Sequence, residues 1–137
     1  MEAILNPGKD RVRAVTPNTV NEKIDKEIAK NVDYYASRSS ESIKAKIKKL
    51  ESEWDVERTL ELNASLIALG GIALAATVNK KWLFLPALIT AFLAQHAIQG
   101  WCPPIPLFRR LGVRTQKEIE TERHALLELL ESRTAVS

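Results

Sequence analysis

Residues 62–79 read LNASLIALGGIALAATVN and residues 82–108 read WLFLPALITAFLAQHAIQGWCPPIPLF. Neither run contains Asp, Glu, Lys or Arg, and only Lys80 and Lys81 stand between them. A spanning helix needs about 20 mostly apolar residues to cross a hydrocarbon core of about 30 Å. Only helices and closed barrels satisfy every backbone group there. Two such runs back to back predict a transmembrane helical hairpin. Residues 62–78 make about 25 Å of helix and residues 82–101 about 30 Å, at about 1.5 Å per residue. The turn Asn79-Lys80-Lys81 is short and polar, so the two helices must be antiparallel neighbours. Trp82 and Trp101 fall at opposite ends of the second run, where amphipathic rings favour the membrane interfaces. Pro86 falls in the first turn of that helix, where a missing N–H costs least. The competing reading is a buried helical hairpin of a soluble protein. Against it, both segments are apolar on all faces.

Average composition conceals this pattern: the mean hydropathy is −0.15 and 27% of residues are charged. The charge is segregated. Residues 1–61 carry 12 basic and 12 acidic side chains, residues 62–108 only the two turn lysines, and residues 109–137 carry 6 basic and 5 acidic ones. The net charge of +3 is therefore not gathered into a polyanion-binding block. No zinc-finger spacing or basic–aromatic interleaving points to nucleic acid. The polar remainder is expected to build little core without the membrane or an oligomer.

Outward from the hairpin, four regions are expected: an extended arm (1–18), a charged amphipathic helical region (19–61), the hairpin (62–101), and a Pro-rich juxtamembrane segment with a C-terminal helix (102–137). The arm is polar, contains Pro7, Gly8 and Pro17, and lacks the apolar core of a signal peptide. Thr19-Val20-Asn21-Glu22 fits a capping box, and Val20, Ile24, Ile28, Val32 and Tyr35 follow at helical spacing. Ser37-Arg38-Ser39-Ser40 breaks that helix and offers a new cap. The next helix carries Ile43, Ile47, Leu50 and Trp54, and no proline stops it from running into the first span. Both amphipathic helices could lie on the membrane or project from it.

Cys102-Pro103-Pro104-Ile105-Pro106 cannot continue the second span as a helix. An extended surface segment is expected there, with Leu107 and Phe108 dipping into the bilayer and Arg109 and Arg110 reaching the headgroups. Trp54, Trp82 and Trp101 complete the interface anchors. Thr115-Gln116-Lys117-Glu118 is a second capping box. It opens a helix striped by Ile119, Leu126, Leu127 and Leu130, with a frayed tail from Thr134. Arg58, Arg109, Arg110 and Arg114 flank the spans on the terminal side, which favours both termini in the cytoplasm.

Within a bilayer, helices associate through close packing of small residues. Ala64, Ala68, Gly71 and Ala75 form one such seam, and Ala87, Ala91 and Ala94 another. The expected role is contact between helices, either inside the hairpin or between copies. Gln95 and Gln99 share one face of the second span, and His96 and Gly100 the neighbouring one. Cys102 follows directly. Polar groups in a span face protein or a water-filled cavity. Three readings of this cluster stay open: interhelical hydrogen bonds that fix an oligomer, a polar path for a small solute, and thiol chemistry at Cys102 with His96 as base. One cysteine excludes an intramolecular disulfide, and no metal or cofactor site is expected. His124, on a charged helix, reads as solvated.

Gly100-Trp101-Cys102-Pro103, followed by Leu111-Gly112-Val113-Arg114-Thr115 after a two-span hairpin, resembles the YgaP-like transmembrane-domain family. These are small bacterial inner-membrane proteins of largely unassigned function. The resemblance covers roughly residues 54–120. It implies the hairpin, cytoplasmic termini and an inner-membrane location. In some members a rhodanese domain precedes the hairpin, and the residues present here contain no rhodanese-type active-site loop. The expectation is an all-α, two-span membrane protein that contacts the lipid bilayer and self-associates or joins a larger membrane complex. Its role is structural or scaffolding rather than enzymatic. The alternative is a thiol-dependent sulfur-handling or small-solute transport module centred on Cys102.

Overall fold

The structure is a computed structural model that describes residues 10–136. The described part of the 1–18 arm is not extended. Asp10 caps a short helix, α1 (Arg11–Val15), by accepting from the Val12 and Arg13 N–H groups. The rest of the arm lies outside the described residues. Helix α2 (Asn18–Ala36) starts one residue before Thr19 and has Pro17 at its N-cap, with no side-chain cap bond. The expected capping box at Thr19 therefore does not form. Proline supplies a suitable φ and needs no N–H of its own there. Helix α3 (Ser40–Glu51) is capped by Ser39, as the Ser37–Ser40 break suggested.

The chain then leaves the helical path at residues 52–55, so α3 does not run into the span. Asp55 caps α4 (Val56–Thr77) by accepting from the Arg58 N–H. That carboxylate satisfies an otherwise orphaned donor, which favours a fresh start over a continuous helix. A 3-10 turn (Lys80–Leu83), capped by Asn79, leads into α5 (Phe84–Gln99). Trp82 thus sits on the turn rather than in the second helix. Gly100 ends α5 with a φ of 79°, and a Cβ there would lie 2.6 Å from the Arg11 Cβ. The expected extended segment after Cys102 is instead mostly a short helix, α6 (Ile105–Arg110), preceded by Pro104. Proline opens a helix as readily as it interrupts one. The last helix, α7 (Gln116–Val136), continues through the expected frayed tail.

Two groups of helices result. Helices α2 and α3 both pack on α7. Ile43, Ile47, Leu50, Ile119 and Leu126 form their buried core, with Tyr35, Leu127, Leu129 and Leu130 against it. The polar parts thus build a core of their own, contrary to expectation. Their apolar faces are turned on α7, so α2 and α3 do not have those faces free to lie on a membrane. Trp54 is not on the α3 stripe; it stands in the break, 43% exposed, with the Arg58 guanidinium 4.3 Å from its ring centre.

Helices α4 and α5 form an antiparallel hairpin. Along α4 the residues withdrawn from the surface include Ala64, Ala68, Gly71 and Ala75, the predicted seam. A Cβ on Gly71 would come 2.7 Å from the Pro86 Cδ, so only glycine allows this approach. The second seam is not part of the hairpin contact: Ala87, Ala91 and Ala94 are exposed, and Leu85, Pro86, Ile89, Phe92, Leu93 and His96 turn inwards. Within the runs Ser40–Thr77 and Lys80–Gln99, 18-residue windows reach mean hydropathies of 1.5 and 1.3. Both are long and apolar enough to cross a membrane. Only 17% and 6% of those windows are buried within the molecule.

Candidate functional site

The chemistry-bearing side chains gather where the helical head meets the open end of the hairpin. The apolar floor there is Val12, Val56, Leu60, Cys102 and Ile105, with Phe92, Leu93, Phe108 and Val113 packed on it. The Val56 N–H donates to the Arg114 carbonyl at 2.9 Å, joining the start of α4 to the entry of α7. Arg11 donates to the Ala97 carbonyl near the end of α5, where the carbonyls of a helix terminus attract a cation.

Arg109 lies at the centre of this junction, and its position corrects the sequence reading. It is 1% exposed and does not reach a headgroup. Its guanidinium grips both oxygens of Glu118 at 2.6 Å each, and also donates to the Asn21 side-chain oxygen at 2.9 Å, the Thr16 hydroxyl at 3.3 Å and the Val113 carbonyl at 3.2 Å. This fork matches a carboxylate in a way lysine cannot. Glu118 simultaneously accepts from Arg13 at 2.7 Å and from the Thr115 N–H at 2.8 Å, while its own N–H donates to Thr115 Oγ1. The predicted capping box at Thr115 is therefore present, and its carboxylate also receives two arginines. Burial alone would raise the Glu118 pKa. The Arg109 pair, the Thr115 N–H and Arg13 outweigh burial and hold it below the usual carboxylate value. Arg13 is raised mainly by its pair with Asp25, at 2.7 Å.

A second buried set joins the same elements. Arg114 donates to Glu53 at 2.8 and 2.5 Å and pairs with Glu122. Glu122 is fully buried and is also reached by Lys46 and Asn31, both at 3.3 Å. Every acidic group in the two sets thus faces a cation, which lowers the cost of burying charge.

The polar cluster predicted on α5 is divided. His96 is buried and its Nε2 lies 2.7 Å from Glu57 Oε2, on the first turn of α4. His96 Nδ1 has no partner among the described residues. The histidine therefore closes the hairpin within one chain. Gln95 and Gln99 hydrogen-bond to each other at 3.3 Å on the outer face. Cys102 is 4% exposed in the apolar floor, and burial pushes its thiol pKa up. Neither feature suits a nucleophilic thiolate. Among the anchors, Arg110 is exposed, Trp101 is half-buried, and Trp82 stacks with Phe84 at 6.2 Å. His124 is exposed, as expected. Among the described residues, no cluster of three or more His, Cys, Asp or Glu side chains is arranged to hold a metal ion.

The residues missed by sequence reasoning are Arg13, Asn21, Glu53, Glu57 and Glu122. Each sits on a polar or helix-initiating stretch where a charged residue ordinarily meets water. No periodicity marks them as buried. No protein-family model, curated protein or solved structure matches this chain.

Proposed function

We propose that this chain is a two-span membrane protein whose hairpin carries a rigid helical head, and that it acts as a structural or scaffolding module. One observation carries the proposal: the two apolar windows are only 17% and 6% buried within the molecule. In water such a surface would be a severe aggregation liability. In lipid it needs no cover, while every backbone group stays bonded within helices. Helix α4 is 22 residues long, about 33 Å. Trp54 and Trp101 mark one end of the hairpin and Trp82 the other, as membrane interfaces favour.

The head is built for rigidity. Its arginines and carboxylates hold α1, α2, α3, α6 and α7 to one another, and the Val56–Arg114 bond ties them to the hairpin. Chemistry is committed to architecture throughout. The outward face of α5 supports self-association or entry into a larger membrane complex, because Ala87, Ala91 and Ala94 permit close approach and Gln95 and Gln99 lie beside them. Arg58 and Arg110 at the open end favour cytoplasmic termini. The motif Gly100-Trp101-Cys102-Pro103 with Leu111-Gly112 supports a place in the YgaP-like group of a bacterial inner membrane. The sulfur-handling alternative would need Cys102 released from its apolar floor.

Alkaline carbonate extraction of membranes, followed by native mass spectrometry of the detergent-solubilised protein, tests this. The protein should stay in the membrane pellet and leave the detergent as an oligomer or a defined complex. Ala91→Leu should reduce that assembly without lowering the thermal stability of the hairpin. A protein that washes from the membrane and runs as a monomer would overturn the proposal.

A further inference from the structure

A groove of about 490 Å³ lies beside the hairpin's open end, between α2 and the end of α6, lined in part by Thr19, Lys23, Glu27, Arg110 and Leu111. Lys23 and Arg110 are exposed, and neither has an ion-pair or hydrogen-bond partner among the described residues. In this protein the neighbouring cations Arg13, Arg109 and Arg114 are all paired with carboxylates. Lys23 and Arg110 instead bring two cations without an ion pair to one groove. The groove also has an apolar border. Leu107 and Leu111 are 58% and 72% exposed and stand four residues apart, on one face of α6 and the turn after it. A short helix that follows a span directly and exposes leucines beside arginine has the character of an interfacial element.

We infer that this groove binds the headgroup of a membrane phospholipid, with its phosphate between Lys23 and Arg110 and its acyl chains along Leu107 and Leu111. Glu27 stands one helical turn beyond Lys23 on the same wall of α2 and is also exposed. A carboxylate there disfavours a purely anionic ligand and complements a headgroup ammonium. The ligand class is therefore a zwitterionic aminophospholipid such as phosphatidylethanolamine. Arginine and lysine supply the phosphate contacts. Free phosphate shares that chemistry but lacks both the ammonium and the chains.

This assignment rests on the membrane-spanning proposal, and the test separates the two. Full-length protein is extracted from membranes and equilibrated in mixed micelles containing phosphatidylethanolamine and phosphatidylglycerol in equal amounts. Retained lipid is then read by native mass spectrometry. The wild type should retain phosphatidylethanolamine preferentially. Lys23→Gln with Arg110→Gln should lower total retention about thirtyfold, as expected for the loss of two interfacial charges. Glu27→Gln should shift the preference towards phosphatidylglycerol. Lys44→Gln with Lys48→Gln, exposed on α3, should change nothing, and inorganic phosphate should not displace the lipid. All five substituted side chains are exposed, and a thermal melt confirms that each variant is folded. Unchanged retention in the Lys23/Arg110 variant, an equal fall in the α3 control, or displacement by phosphate would overturn the assignment. Wild-type protein that fails to remain in carbonate-washed membranes would overturn the spanning proposal as well; protein that remains there with unaltered lipid in the variants would overturn the groove alone.

Discussion

Arg109 shows how far a residue's role depends on its partners. By position it belongs to a basic doublet just after the second uncharged run, yet only Arg110 is exposed. The bidentate bond to Glu118, with both groups nearly fully buried, means that removing one partner leaves the other as an uncompensated charge. Arg109→Met should destabilise the protein by about 3–5 kcal/mol, read as a lowered melting temperature in detergent. A melt unchanged from wild type would show that the pair contributes nothing. Glu118 also sets a pH dependence. Its folded pKa lies below the ordinary carboxylate value, so its contribution is fully present above that value. It is lost as pH falls through the lowered folded value. Thermal stability should therefore be flat from neutrality down to about pH 5 and decline below it, with Glu118→Gln showing a shallower decline. Cys102 belongs to the same scale. As part of an apolar floor it should alkylate slowly at neutral pH, and Cys102→Ser should fold and assemble normally. Rapid alkylation, or sulfane sulfur found on Cys102 in cells, would favour the sulfur-handling alternative.

At the scale of elements, the two adjacent glycines of α4 make opposite predictions. Gly71 meets Pro86 and Leu85, whereas a Cβ on Gly70 would meet nothing within 4 Å. Gly71→Leu should lower the stability of the hairpin by at least the 1–3 kcal/mol or so typical of overpacking. Gly70→Ala should be tolerated. Equal behaviour of the two variants would remove the close α4–α5 approach from the account. In the head, Ile43 and Leu126 are fully buried where α3 meets α7. Ile43→Ala should cost about 2–5 kcal/mol.

Much of this level could be read in the sequence. The uncharged runs located α4 and α5, the first small-residue seam held residues of the hairpin contact without saying which helices meet there, and the Ser37–Ser40 break and Thr115 marked two helix starts. The failures have physical causes. A proline after Cys102 reads as a helix stop, but proline equally opens α6. No proline separates α3 from α4, but Asp55 ends the continuity by capping. Small residues alone do not say which face they occupy, so Ala87, Ala91 and Ala94 were legible as a stripe but not as an outward one. The buried charges were illegible for a different reason. Arg109 and Glu118, or Glu57 and His96, become partners only through tertiary packing, and hydrophobic periodicity carries no trace of that.

At the scale of the whole molecule, a charged head and an uncharged hairpin meet at one buried junction. The head has its own apolar core, and the hairpin keeps most of its apolar surface outside. In the proposed reading a bilayer surrounds α4 and α5, and α2, α3 and α7 stand together on one side of it. The most direct measurement is accessibility of single cysteines in intact cells. In a Cys102→Ser background, Lys44→Cys, Asn79→Cys and Ser132→Cys sample the head, the hairpin tip and the last helix. A membrane-impermeant maleimide should label position 79 alone in intact cells and all three positions after the membrane is opened. Labelling of position 44 or 132 from outside, or labelling of none before opening, would contradict a hairpin that crosses the membrane with its head in the cytoplasm.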